Sequence, residues 1–113
     1  MNQNTFGSMD IGLKIVPASG KIYDITHADT NEHSVALPAG YPANTKALIV
    51  RCSRVAGTGN IYLNSVPGAS GATWQIATPN TGVWIRATDG MFYYSISVAN
   101  DDWDIFAVGR IEA

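Results

Sequence analysis

Chemistry in this chain of 113 residues would have to come from a handful of acidic and imidazole side chains. Asp24, His27, Asp29, Glu32 and His33 form the one grouping with the residue types of a metal or acid–base centre. Asp24 and His27 have opposite parity on a strand and point to opposite faces, whereas His27 and His33 can meet across a hairpin. Zinc or calcium needs three or more convergent ligands at fitting spacing. No HxH, HExxH or DxDxDG pattern is present. The grouping therefore reads as a solvated polar hairpin, and no metal or cofactor is expected. Asp101, Asp102 and Asp104 surround Trp103. Carboxylates beside an indole suit sugar binding, so Trp103, Tyr62 and Tyr41 are the glycan-binding candidates. Cys52 is the sole cysteine, which excludes an intrachain disulfide. Its apolar strand context makes it a small buried hydrophobe. Gly57-Thr-Gly59 lacks the lysine and helix of a phosphate loop, and no serine sits in a nucleophile signature. No catalytic residue is assigned, and the chain is not expected to be an enzyme.

The elements that would carry these residues are strands. One domain is expected at this length. Charged residues make up 14% and apolar ones 46% of the chain, a balance that suits a turn-rich β protein and not disorder. With a net charge of −2 and four scattered arginines, there is no electrostatic footprint for nucleic acid. The longest unbroken apolar run, 47–50, is too short to span a membrane. The opening residues lack a basic segment followed by an apolar one, so no secretory leader is expected. A reducing cytoplasm is the expected place of synthesis.

Turn residues divide the chain into about eight strands roughly ten residues apart, with no sustained helical period. Val35 and Leu37, then Leu48, Val50 and Cys52, then Ile61 and Leu63, are the expected inward positions. Trp74 and Ile76 share a face. Ile105, Ala107 and Ile111 oppose Phe106 and Val108. The pattern predicts an all-β, two-sheet antiparallel β-sandwich or jelly roll over residues 20–113, preceded by an N-terminal arm over residues 1–19. The clearest register belongs to 81–98. Asp89-Gly90 suits a type I′ turn, and a hairpin there sets Arg86 opposite Tyr93, where the two can stack as a cation–π pair. One face would hold Val83, Ile85, Phe92, Tyr94 and Ile96. The other would hold Trp84, Arg86, Met91 and Tyr93.

Three strands are apolar on both faces, at 47–50, 84–86 and 105–108. A two-layer sandwich has one interior, so the surplus must meet an arm, a subunit or a partner. Trp84, Arg86, Met91 and Tyr93 are types enriched in interface cores. Ile11, Leu13 and Ile15 on the arm join them as interface candidates.

The order of a long apolar strand (47–53), Asn60-Ile-Tyr-Leu-Asn64, a Gly-rich loop, Trp74-Gln-Ile76, Val83-Trp-Ile-Arg86 and a late aromatic strand resembles small phage virion proteins of jelly-roll type. The likeness is to head decoration (cement) proteins, over roughly residues 20–112. It implies a homotrimer bound to viral capsid protein, with the arm as an anchor, located on a virion assembled in the host cytoplasm. It implies no catalytic residue. A carbohydrate-binding module of a tail or fibre is the alternative, and a cupin-like enzyme would need more inward histidines than the two present.

Overall fold

The computed structural model describes residues 14–25, 28–68, 74–77, 81–87 and 89–113. They contain nine strands and no helix: β1 (Lys14–Pro17), β2 (Lys21–Ile25), β3 (His33–Ala36), β4 (Thr45–Ala56), β5 (Ile61–Asn64), β6 (Trp74–Ile76), β7 (Thr81–Arg86), β8 (Met91–Ile96) and β9 (Asp102–Glu112). The strands fall on β-branched and aromatic runs. Left-handed backbone falls at Gly20, Gly57, Gly68, Asp89, Gly90 and Asn100, residue types that tolerate it.

Two antiparallel sheets result. The larger runs β7–β4–β9, with β1 and β2 following one another along the far side of β9; the smaller runs β3–β8–β5–β6. The pairing is nested: β2 with β9, β3 with β8, β4 with β7, β5 with β6. The chain is one long antiparallel hairpin with its tip between β5 and β6. It is rolled until β4 also meets β9 and β5 also meets β8. This is the sandwich expected, with the wiring of a jelly roll.

The interior matches the alternation. Leu48, Val50, Cys52, Ile61, Leu63, Phe92, Trp103 and Ile105 are fully buried, and Val35, Ile85, Tyr94 and Ile96 nearly so. Aromatic rings join the sheets on one side, with Tyr94 of β8 5.6 Å from Tyr23 of β2 and 5.5 Å from His33 of β3. Trp74 joins them on the other, its Nε1 donating to the backbone carbonyl of Trp84 across the gap between β6 and β7.

Three expectations are corrected. Asp89 and Gly90 do take positive φ, 55° and 76°, but β7 and β8 are not a hairpin. β7 pairs with β4 and β8 pairs with β3 and β5, so the turn is an arch from one sheet to the other. Arg86 stands opposite Ala47, and Tyr93 stands opposite Ser34 and Asn64. The expected Arg86–Tyr93 stack is therefore excluded. Second, Lys14–Pro17 is no free arm, because it pairs with Glu112 through Gly109 of its own chain. Third, the register slips between Ile49 and Val50 against β9. This bulge reverses the side-chain alternation of β9 beyond Val108. Ile105 and Ala107 face inward, while Ile111 stands beside Ala47 and Ile15 on the outer face.

The turn after β4 is locked by Asp101, which is 4% exposed. Its Oδ2 accepts the Gly59 N–H at 2.7 Å. Gly57 has φ +111°, and a Cβ there would collide with the same carboxylate. Gly57→Ala combines backbone strain with that collision and is expected to cost about 3 kcal/mol, read as a lower urea midpoint at unchanged slope.

Candidate interaction surface

The larger sheet presents an outer face whose residues are set by register. From β7 across β4 and β9 to the far edge, one row reads Arg86, Ala47, Ile111, Ile15. The next reads Trp84, Ile49, Gly109, Pro17. Then come Arg51, Phe106 and Lys21, and last Ser53, Asp104 and Asp24. Apart from Arg86 at the corner, the first two rows are a contiguous apolar block. A Cβ on Gly109 would lie 3.3 Å from Ile49 Cδ1 and 3.9 Å from Ile15 Cγ2, so the two isoleucines flank the glycine. Ile15 is 60% and Trp84 53% exposed. In the third row the Arg51 guanidinium lies 4.2 Å from the Phe106 ring centre. This face does not alternate apolar with polar as a wetted antiparallel sheet does.

The interface candidates divide. Trp84, Arg86 and Ile15 share this outer face. Met91 and Tyr93 are half-buried and alternate with the inward Phe92 and Tyr94, so they belong to the outer face of the smaller sheet, on the opposite side of the molecule. Ile11 and Leu13 lie outside the described residues. Trp74, 40% exposed at the β6 edge, was not singled out by the sequence. Its parity with Ile76 marks an inward residue, and only its place on an edge strand opens it to solvent.

The glycan candidates are not brought together. Trp103 is fully buried. Tyr62 is half-buried on the outer face of the smaller sheet. Tyr41 lies under the Arg110 guanidinium, 5.3 Å from ring centre to Cζ, towards the other end of β9 from Trp103. Arg54 and Arg110 each close one end of the sandwich. Arg54 donates to the Gly59 carbonyl at 2.9 Å and stands 5.8 Å from the Trp103 ring centre. Arg110 donates to Glu112 Oε2 at 2.8 Å.

The acidic and imidazole grouping also separates. Asp29 Oδ1 and His33 Nε2 are 2.8 Å apart, and Glu32 Oε1 accepts the Gly68 N–H at 2.8 Å. His27 lies outside the described residues. Asp24 joins Asp102 and Asp104 instead, with carboxylate oxygens within 4.8 Å of one another. Lys21 Nζ sits among them, 3.3 Å from Asp104 and 3.6 Å from Asp24. The hydrogen bond and charge of Asp104 raise the Lys21 pKa above its ordinary value. Burial, reinforced by Asp24 and Asp104, raises that of Asp102. Burial pushes the Cys52 thiol up to about 12, against a smaller opposing pull from Arg51. Among the described residues no helix is long and apolar enough to cross a membrane.

Comparison with protein-family models, curated proteins and solved structures found no match to this chain.

Two outcomes follow from these placements. Trp103→Ala is expected to lower stability by about 3–5 kcal/mol, seen as early thermal unfolding, because it empties core volume. Cys52, protonated at pH 8, is expected to resist maleimide in the folded protein and to react once urea unfolds it; rapid labelling of the native chain would contradict the buried placement.

Proposed function

We propose that this chain is a non-enzymatic assembly protein of a viral particle, a capsid decoration (cement) component that works as a homo-oligomer. The reading is supported by the apolar block on the outer face of the larger sheet, where Ile15 and Trp84 are more than half exposed. Such a patch marks an association surface. The jelly roll is a fold that capsid proteins share with lectins and cupins, so architecture alone decides nothing; the face carries the argument. Binding would act by burial of aromatic and aliphatic area around Trp84, with many copies making weak contacts effective together. Trp84→Ser is expected to leave the fold intact and to reduce particle-bound protein by roughly tenfold in sedimentation, about 1.4 kcal/mol per contact. Recovery of the wild-type chain as a free monomer, with none in the particle fraction, would sink the reading.

A second reading, a carbohydrate-binding module of a tail or fibre, draws on Trp74 and Trp84. They line the β6–β7 edge with exposed rings and are joined by the Trp74 Nε1 hydrogen bond. Glycan-array binding that disappears in Trp74→Phe, which keeps a ring but lacks the N–H, would support it.

A further inference from the structure

Two corners of the larger sheet's outer face carry opposite net charge. At the β7 corner, Lys46, Ala47, Trp84, Arg86, Ala87 and Ile111 line an open depression of about 450 Å³. Its floor is apolar, with Ala47 and Ile111 buried. Among the described residues neither Lys46 nor Arg86 makes an ion pair. The diagonally opposite corner, where β2 meets the start of β9, holds Asp24, Asp102 and Asp104, and among the described residues Lys21 is the one cation ion-paired there, to Asp24 and Asp104. Among the described residues, Asp102 Oδ1 is buried there with no hydrogen-bond partner. One corner thus has two cations, with the Asp89 carboxylate in the pocket beside Lys46, and the other has three carboxylates and one cation, so their net charges are opposite. The rows of Trp84, Ile49, Gly109, Phe106 and Arg51 lie between them.

We infer that a second copy of this chain covers the face, related by a two-fold axis in the interface plane, so that each copy's Arg86 corner receives the other's acidic corner. It rests on the reading of this face as the association surface, and it names the occupant. A two-fold contact requires a self-complementary patch, in which residue i meets j and j meets i. Opposite charges at the two ends of one diagonal satisfy that condition twice over. An axis perpendicular to the diagonal crosses the strands of the two copies steeply, one of the established sheet-packing arrangements. The apolar rows then meet at the centre and the charges lie at the rim, where they set register and reject other orientations. Four strands about 4.8 Å apart and about eight residues long give a footprint of roughly 500 Å² per copy. The pair therefore buries about 1,000 Å², the lower bound for a specific interface. A dimer takes the place of the trimer that the resemblance implies.

Light scattering of the full chain across a concentration series tests this with exposed-site variants, folding being checked by circular dichroism. The expected mass is twice the 12.1 kDa of the chain. Arg86→Glu and Asp24→Lys should each weaken self-association at least tenfold, and the double variant should restore it to within about threefold. A dimer indifferent to both single reversals, single losses that the double variant does not repair, or a trimer would overturn the two-fold pairing and leave the association surface standing. A wild-type monomer at every concentration would overturn both.

Discussion

The ladder between β4 and β9 is the constraint on which the rest of the molecule depends. These are the two longest strands, and they pair from Thr45 with Glu112 to Ala56 with Asp102. Every other strand of the larger sheet is placed by them, β7 on the outer side of β4, β1 and β2 on the outer side of β9. Their inward residues, Leu48, Val50, Cys52, Trp103 and Ile105, supply the floor against which the smaller sheet packs. Their ends carry Arg54 and Arg110, whose long side chains close the two openings of the sandwich. The same ladder makes the outer face apolar, because a strand pair central to a sheet presents its second face in a block.

Local order in this fold is legible and long-range pairing is not. Alternation placed the inward residues of β3, β4 and β5 correctly, since burial on one face forces period two. Asp89-Gly90 was correctly read as a left-handed turn, yet a turn says only that the chain reverses. Whether the two arms then pair or part to different sheets is decided by β4 and β3, both distant in sequence. Ile111 was misplaced for a related reason. A bulge adds one residue to the count, and the only nearby sign of it is Gly109, where Ile15 and Ile49 close in.

The candidate surface was legible in part. Trp84 and Arg86 were chosen by parity and do share an exposed face, whereas Met91 and Tyr93 were tied to them by the mistaken hairpin. Trp103 looked like a sugar platform because of its acidic neighbours, but Asp101 turns to hold Gly59 and the indole fills the core. Asp102 and Asp104 are neighbours on β9, but Asp24, which completes their cluster, comes from β2, far away in sequence. No spacing rule brings Asp24 to them, and only the β2–β9 register does.

The nested wiring also has a temporal side. Of the nine strands, β9 leaves the ribosome last, yet it lies in the middle of the larger sheet. Until it arrives, β4 has a neighbour on one side only, and β1 and β2 have none. Closing the outermost pair joins Lys14 to Glu112, and contacts so distant along the chain make folding slow. During synthesis the two hydrophobic sides of β4 are therefore open to the cell at once, a window that a chaperone or a fellow nascent chain can enter before the sandwich shuts.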